Sequence, residues 1–266
     1  MIRDFVPCRS SSGRCAPCTP PRREPSTGSD HSSGVGSAIA EHLCSTGNIV
    51  FNLDPTPPED TSSSVHHVHG DGSDPAATTA AASLAEKYGP LSGWVNNAAI
   101  FRDAGLATAT AIQISELISL NLNLAVVGCH TAVQHFLAHS RPGAIVNVSS
   151  HQAQRPVRGA LPYATAKAAI EGLTRAAAVD HGPQGIRVNA VALGSITTAR
   201  YEDHRRKHPE TDRQMEALHP LGHVGHPQDV ARTVAFLLAP ESGFITGAVL
   251  PVDGGRSVLG PDPEST

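Results

Sequence analysis

The sequence lacks several features that would mark particular classes of protein. Its formal net charge is only −4, which gives no general case for nucleic-acid binding. It has no run of about 18 apolar residues, the length that a membrane-spanning helix needs. Its first residues, MIRDFVPCRSSSGRCAPC, lack the apolar core of a secretory signal. We therefore expect a cytoplasmic protein with no nucleic-acid and no membrane partner.

Cysteine is scarce, and its count is odd. The five cysteines of this long chain do not form the pattern of a disulfide framework. The CAPC segment at Cys15–Cys18 has the spacing of half a zinc site, but no second pair follows at a usable distance. Cys8 and His31 could complete such a site only by coincidence. We predict no metal site.

The composition changes abruptly near residue 33. From about Ser10 to Ser33 the chain is rich in Pro, Ser, Arg and Cys and shows no helix or strand period, so we predict an atypical, disordered segment over 1–32. Beyond it, continuous apolar strands alternate with helices, which is typical of a parallel sheet covered on both faces. We predict one α/β domain over 33–256, a doubly wound (Rossmann-type) parallel sheet, and a C-terminal tail over 257–266.

The strand that should open such a sheet is atypical or missing. The segment before the first predicted helix, APCTPPRREPS, contains four prolines and no β-branched run, so it cannot be a central strand. Two explanations stay open. Either Ile2–Val6 folds in as a replacement strand with a long loop behind it, or the first thirty or so residues come from a misread frame or a wrong start.

Two residues of one predicted helix have complementary chemistry. LPYATAKAAIEGL places Tyr163 and Lys167 four residues apart, on the same helix face. A cation about 4 Å from a phenolate stabilises it by roughly 4 kcal/mol at an effective dielectric near 20, or about three pKa units. A tyrosine tuned in this way can act as a general acid or base near neutral pH. The alternative is an ordinary surface pair.

Polar or small residues also follow the predicted strands, at the edge where doubly wound sheets bind ligands. They are Asp54, Asp71, Asn96, Asn97, Ser149, Ser150 and Gly194. Asn121 lies in the long helix that precedes the strand of Ser150. We expect Asn121, Ser150, Tyr163 and Lys167 to converge above the sheet. The alternatives are that Asn121 faces solvent on its helix and that Ser150 merely ends a strand.

These residues give the chain a family resemblance. It resembles the classical short-chain dehydrogenase/reductases over roughly Ser33 to Arg256. The matching motifs are NNAA at Asn96–Ala99, the helical Asn121, VNVSS ending at Ser150, YATAK from Tyr163 to Lys167, IRVNAVALGSITT and FITGAVLPVDGG. The resemblance implies that Tyr163 passes a proton to or from the substrate oxygen. It further implies that Lys167 lowers the pKa of Tyr163 and binds the nicotinamide ribose, that Ser150 hydrogen-bonds the substrate, and that Asn121 holds a relay water.

The predicted cofactor is NAD. Asp54 follows a strand, where a carboxylate accepts hydrogen bonds from the ribose hydroxyls and repels a 2′-phosphate. No arginine or lysine from Ser26 to Val65 compensates that charge, so NAD(H) is favoured over NADP(H). The alternative is a solvated loop aspartate before Pro55. The resemblance further places Asp71 near the adenine, Asn97 beside the adenosine half and Thr198 at the carboxamide.

The phosphate-binding end of the pattern is altered. Gly34 and Gly36 open a predicted helix whose N–H groups could bind pyrophosphate. The Thr-Gly pair of the family, however, lies two residues too far upstream at Thr27–Gly28. The other register puts Ser29 and Asp30 there, and an aspartate beside pyrophosphate is unfavourable unless it points away.

The segment from Ser195 to Gly225 is predicted to be a mobile lid over the substrate. Its basic residues are Arg200, His204, Arg205, Arg206, Lys207 and His208. They form either a solvated helix face or a basic lid for a carboxylated or phosphorylated substrate.

We predict an NAD-dependent oxidoreductase acting on a small-molecule secondary alcohol or ketone. The alternative is a catalytically silent homologue that binds a nucleotide or a partner. The resemblance also suggests a homotetramer or homodimer built on the long helices at 115–139 and 162–181.

Overall fold

The computed structural model describes residues 4–9, 34–56 and 65–260, which form a seven-stranded sheet with helices on both faces. The strands are β1 (Asp4–Arg9), β2 (Asn48–Asp54), β3 (Val65–His69), β4 (Gly93–Asn96), β5 (Gly143–Ser150), β6 (Ile186–Leu193) and β7 (Val249–Val252). The α-helices are α1 (Val35–Ser45), α2 (Pro75–Glu86), α3 (Ala111–Ala138), α4 (Leu161–His181), α5 (Ala199–Lys207), α6 (Thr211–Leu218) and α7 (Pro227–Leu238).

The order of the strands across the sheet is β3-β2-β1-β4-β5-β6-β7. β2 and β3 pair in parallel, and β4 to β7 form a second parallel block. The predicted α/β fold, with a parallel sheet between two helical layers, is confirmed. The strand numbers rise outward on either side of β1. The strands of the two parallel blocks all run in the same direction, so their carboxyl ends lie together, and we call that end of the sheet the carboxyl edge.

The central strand departs from the prediction of a parallel sheet. β1 runs antiparallel to both neighbours, with Asp4 opposite Leu53, Arg9 opposite Asn48, and Phe5 opposite Val95. Six residues of the segment that we predicted to be disordered therefore form a strand, and the prediction is wrong for them. The physical reason is that a strand between β2 and β4 pairs backbone groups that would otherwise be unsatisfied in the middle of the sheet.

Of the two explanations left open, replacement by an N-terminal strand matches this placement, with the strand at Asp4–Arg9 where we expected Ile2–Val6. Pro7 lies within β1, opposite Val50. Because proline has no N–H, β1 makes fewer ladder hydrogen bonds than an ordinary central strand. The remaining residues of 1–32 lie outside the described part of the chain, as does the tail from 261.

The core has two layers, one on each face of the sheet. Ile145 of β5 packs in the cluster beneath α2, α3 and α4, whereas its neighbour Val146 packs in the cluster beneath α1 and α7. Trp94 and Val95 of β4 divide between the two clusters in the same way. Successive side chains of a strand point to opposite faces, so a strand covered on both sides is continuously apolar.

Helix α3 is long, with 28 residues, and rich in apolar side chains. Among the helices of the described ranges, it alone has the length and composition of a membrane span, a test that core helices also pass. It begins with a capping box, in which Thr110 and Gln113 each accept a hydrogen bond from the other's backbone N–H. Its packing against α2, α4 and the sheet accounts for its buried apolar side chains.

Candidate active site at the carboxyl edge of the sheet

The centre of the site is a hydroxyl pair. Ser150 is the last residue of β5 and is buried. Tyr163 lies in the first turn of α4, and its hydroxyl hydrogen-bonds the side chain of Ser150. Ser150 also accepts the backbone N–H of Gln152 at 3.2 Å, which fixes the orientation of its hydroxyl oxygen. The two predicted hydroxyl groups are therefore brought together.

Lys167 lies one helical turn beyond Tyr163, on the same face of α4. Its side chain is 2% exposed, and its Nζ donates to the carbonyl of Val148 at 2.6 Å. The same Nζ lies 5.5 Å from the centroid of the Tyr163 ring. The alternative of an ordinary surface pair is therefore wrong.

The pKa of Tyr163 moves opposite to our expectation. Burial raises it above the ordinary value, while the hydrogen bond with Ser150 and the positive charge of Arg200 act to lower it. A phenolate loses hydration when it is buried, and that loss outweighs the two favourable contacts. The predicted lowering of this pKa is therefore wrong.

Asn121 does not face solvent on its helix. Its side chain is 3% exposed in the middle of α3 and forms two hydrogen bonds with the backbone of Ile100. Oδ1 accepts the N–H, and Nδ2 donates to the carbonyl oxygen, both at 2.8 Å. Asn121 thus ties the loop after β4 to α3. Its role in a proton relay stays a prediction.

Two residues of the site were missed as site residues by sequence reasoning. The ring of Phe101 lies 4.9 Å from that of Tyr163, centroid to centroid. The guanidinium carbon of Arg200, in the second position of α5, lies 4.4 Å from the Phe101 centroid. No motif marked Phe101, and Arg200 was considered only as one of several basic lid residues. The structure singles it out because it joins the lid to the ring beside Tyr163.

The predicted adenosine-side residues lie along the same edge. Asp54 ends β2 and is 1% exposed, with Oδ1 accepting the N–H of Thr56 at 2.7 Å. The alternative of a solvated loop aspartate is therefore wrong. Asp71 is exposed and accepts the N–H and the hydroxyl of Ser73. Asn97 is buried just after β4.

Thr198 and Gly34 each lie at the start of a helix. Thr198 caps α5 by accepting the N–H of Tyr201 at 3.3 Å. Gly34 caps α1, and a Cβ placed on it would meet no atom of the described residues within 4 Å. Gly36 lies in the first turn of α1 and is buried. The turn at Gly47 joins the end of α1 to the start of β2, so α1 begins at the edge where Asp54 lies.

The chemistry of this edge fits a dinucleotide. A helix start at Gly34 with no acidic residue in its first turn suits a pyrophosphate. A carboxylate at the end of the next strand, Asp54, suits a ribose. The fit rests on these donors and acceptors, since the residues from 10 to 33 lie outside the described ranges.

Asn96 and Ser149 turn away from the edge. Trp94 Nε1 donates to Asn96 Oδ1 at 2.7 Å, and Asn96 Nδ2 donates to Asn147 Oδ1 at the same distance. Ser149 donates its hydroxyl to Glu171 at 3.0 Å. Both residues belong to buried hydrogen-bond networks that fix β4 and β5 relative to α4.

A second polar cluster, formed by Glu86, His135 and His139, lies at the opposite edge of the sheet, and no sequence motif marks it. Their potential ligand atoms lie within 4.8 Å of one another. Arg141 already forms an ion pair with Glu86. Burial acts to raise the pKa of Glu86, but hydrogen bonds from His135, the Leu91 N–H and Arg141 bring it down to about 2. We interpret the cluster as a structural ion-pair network.

Comparison with known proteins agrees with this geometry. A family model described as "Enoyl-(Acyl carrier protein) reductase" matches residues 28–257. The short-chain reductase protein NovJ of Streptomyces niveus is 35% identical over 84% of this chain and 90% of its own. The 3beta-hydroxysteroid dehydrogenase 1 of Eggerthella lenta is 33% identical over 85% and 91%.

A solved structure extends this similarity to the fold. The aldohexose dehydrogenase of Thermoplasma acidophilum has a TM-score of 0.80 to this chain at 31% identity, covering 89% of this chain and 95% of its own. The motifs of the sequence, the order of the strands and the Ser–Tyr–Lys geometry all lead to the same assignment. This chain belongs to the family of classical short-chain dehydrogenase/reductases and is an oxidoreductase of that family.

Proposed function

We propose that the protein transfers a hydride between NAD(H) and a secondary alcohol or ketone, with Tyr163 as general acid and base. One observation carries the proposal: Ser150, Tyr163 and Lys167 meet at the carboxyl edge of the sheet. A hydroxyl pair next to a buried ammonium group offers a proton and hydrogen bonds to a carbonyl oxygen that gains negative charge during reduction.

Each residue has a separate task in this scheme. Tyr163 donates its phenolic proton to the substrate oxygen in the reductive direction and takes it back in the oxidative one. Ser150 hydrogen-bonds the same oxygen and orients it. Lys167 holds a positive charge beside the developing phenolate. The nicotinamide, when bound, supplies the hydride. The hydrogen bond with Ser150 and the positive charge of Arg200 act to lower the pKa of Tyr163 against the rise that burial causes, and so support transfer of its proton.

The choice of NAD over NADP is supported by Asp54. A carboxylate buried at the end of β2 would accept hydrogen bonds from the ribose hydroxyls and repel a 2′-phosphate. In the same scheme Gly34 and Gly36 would hold the pyrophosphate at the start of α1, Asp71 and Asn97 would lie along the adenosine half, and Thr198 and Lys167 would contact the nicotinamide half.

We further propose that the chain works as a homodimer or homotetramer in the cytoplasm. The exposed apolar side chains of α3 and α4 support an interface there. They include Leu120, Val126 and Val179, which are 42%, 40% and 77% exposed. Sedimentation of the purified chain gives the oligomeric state directly.

The test is a panel of secondary alcohols and ketones assayed with NAD(H) and NADP(H), with Tyr163→Phe as the control. We expect turnover with NAD(H) that falls by at least about 1,000-fold in the variant. A titration of the protein with NADH, followed by nicotinamide fluorescence, distinguishes the proposed enzyme from the alternative of a catalytically silent homologue. Absence of binding at millimolar NADH would favour a catalytically silent homologue.

A further inference from the structure

The lid helix α5 contains basic residues in two different situations. Three of them are neutralised by acidic neighbours on α5 and α6: Arg205 pairs with Glu202 and Asp212, and Arg206 and Lys207 both pair with Asp203. These pairs are solvent-exposed. They make the larger part of the basic lid a solvated helix face, which is one of the two alternatives that the sequence left open.

Arg200 is in the other situation. Within the described ranges no ion pair joins it to a carboxylate, and its guanidinium lies over the Phe101 ring, 4.4 Å from the centroid. A guanidinium stacked on an aromatic ring keeps its in-plane N–H donors available at its edge. It therefore offers a positively charged, directional donor set that the lid itself does not neutralise.

The position of Arg200 places this charge beside the reacting groups. Phe101, on which it is stacked, contacts the ring of Tyr163 at 4.9 Å between centroids. The positive charge of Arg200 also acts on Tyr163, where it opposes the rise of the pKa that burial causes. Arg200 and Tyr163 thus share a contact with the Phe101 ring, the guanidinium carbon at 4.4 Å and the phenol ring at 4.9 Å from its centroid.

Other charged residues border this region, but their contacts are with other groups and not with Arg200. Asp103, in the same loop as Phe101, faces the turn at Gly159. Arg155 donates to the carbonyl oxygen of Leu259. Asp253 accepts hydrogen bonds from the backbone of Gly255 and Ser257. None of these contacts engages Arg200.

We propose that Arg200 binds an anionic oxygen group of the substrate, a carboxylate or a phosphate, so that the substrate is an oxo acid, a hydroxy acid or a phosphorylated ketone. This inference rests on the proposed function, because it names the class of substrate for the same site. Arginine binds both groups through two parallel N–H···O hydrogen bonds. The anionic group of the substrate would bind the edge of the Arg200 guanidinium, while the ketone oxygen of the same substrate reaches Ser150 and Tyr163.

The test compares matched substrates in matched variants. The first set contains 2-oxobutanoate, 3-oxobutanoate and 4-oxopentanoate, each beside its methyl ester, and the second compares dihydroxyacetone phosphate with dihydroxyacetone. The variants are Arg200→Met, which keeps an unbranched side chain on Phe101 without the charge, and Arg200→Lys. Arg206→Met, a lid arginine paired with Asp203, is the control.

We expect the wild type to prefer one anionic ketone over its neutral partner by at least about ten-fold in kcat/KM. Arg200→Met should lose that preference mainly through KM, so that the anionic ketones lose more than their neutral partners. Arg200→Lys should restore part of it, and Arg206→Met should behave as wild type. The oxo-acid and phosphate sets show which anion is preferred. Equal losses for charged and neutral ketones in Arg200→Met would overturn the proposal and leave Arg200 as a packing residue.

Calorimetric titration of the same anions into the protein with NADH distinguishes a failure of the Arg200 subsite from a failure of the proposed function. If NADH binds and neutral ketones are reduced without any preference for anions, the proposed function stands and the Arg200 subsite is refuted. If no ketone is reduced, the proposed function fails. The subsite then stands only if an anion binds the wild type and binds Arg200→Met at least about ten-fold more weakly, and it falls if both bind alike.

Discussion

The two halves of the sheet differ in how closely they follow the pattern of the family. In the half formed by β4, β5 and β6, every strand is parallel, and the residues that we propose to be catalytic follow or flank these strands. In the half formed by β1 and β2, the central strand is antiparallel and contains Pro7. In the function that we propose, hydride transfer depends on the first half, and the binding of pyrophosphate depends on the second.

This difference teaches that the catalytic geometry does not depend on the direction of β1. Ser150 is placed by β5, and Tyr163 and Lys167 are placed by α4, which packs on β5 and β6. Buried hydrogen bonds, such as Asn147 to Thr174 at 2.9 Å, join these elements independently of β1. An altered N-terminal segment is therefore compatible with an intact proton-transfer site.

The largest expected effect is on catalysis, in the regular half of the sheet. Ser150→Ala removes the hydroxyl that bonds Tyr163 and should lower kcat by about 100- to 1,000-fold, because one preorganised donor to the substrate oxygen is lost. The matched control is Ser149→Ala, whose hydroxyl bonds Glu171 instead. Steady-state kinetics check both, and equal losses in the two variants would indicate a general disturbance of β5.

The next effect concerns stability in the irregular half. Phe5 is opposite both Asn52 and Val95, so its backbone lies between two strands. Phe5→Pro removes an N–H from this central position and should lower the free energy of unfolding by about 3 kcal/mol relative to Phe5→Ala. Urea unfolding of the two variants measures this difference in the free energy of unfolding. Equal stability of the two variants would show that β1 does not occupy the centre of the sheet. Sequencing the 5′ end of the transcript would then test whether the first thirty or so residues come from a misread frame or a wrong start.

A smaller effect is expected on cofactor preference, which joins the two halves. Asp54→Ala removes the carboxylate that would accept hydrogen bonds from the ribose, so the ratio of kcat/KM for NAD over NADP should fall by about ten-fold or more. Asp71→Ala, at the exposed end of β3, should change it less. A wild-type enzyme that already prefers NADPH, with a ratio unchanged in Asp54→Ala, would contradict the assignment of NAD.

The smallest expected effect lies at the opposite edge, in the ion-pair cluster. The pKa of Glu86 is lowered from 4.5 to about 2, so its carboxylate stabilises the fold above pH 4.5, and this contribution is lost as the pH falls from 4.5 towards 2. Glu86→Gln should cost about 1–2 kcal/mol at pH 7, a figure discounted for its partial exposure to solvent. The difference from wild type should shrink at low pH in thermal unfolding. Asp203→Asn, in an exposed lid pair, should change little, and a cost for Glu86→Gln that is independent of pH would refute the assignment.

Much of the fold was predictable from local patterns. Apolar strands such as IRVNAVAL and the glycine-bounded helix at Val35–Ser45 appear where the sequence predicts them. The direction of β1 was not predictable, because a short strand carries no local sign of whether its neighbours run parallel or antiparallel to it. The bounds of the lid helices were not predicted, since the solvated residues of α5 have no apolar period and none of them is buried.

The site was predictable as a set of residues but not in its electrostatics. Spacing placed Tyr163 and Lys167 on one helix face, yet the direction of the Tyr163 pKa depends on burial, which spacing does not reveal. Phe101 and Arg200 are distant in sequence and meet only through the fold. Contacts of this kind need the arrangement of loop and lid, which a single sequence does not contain.

The most direct test of the central claim is transfer of deuteride from NADH labelled at C4 to a ketone, followed by mass spectrometry in the wild type and in Tyr163→Phe. The account predicts an alcohol carrying one deuterium from the wild type, and at least about 1,000-fold slower formation in the variant, which still binds NADH. Labelled alcohol formed equally fast by both proteins would contradict the role of Tyr163, and absence of any label from the wild type would contradict hydride transfer itself.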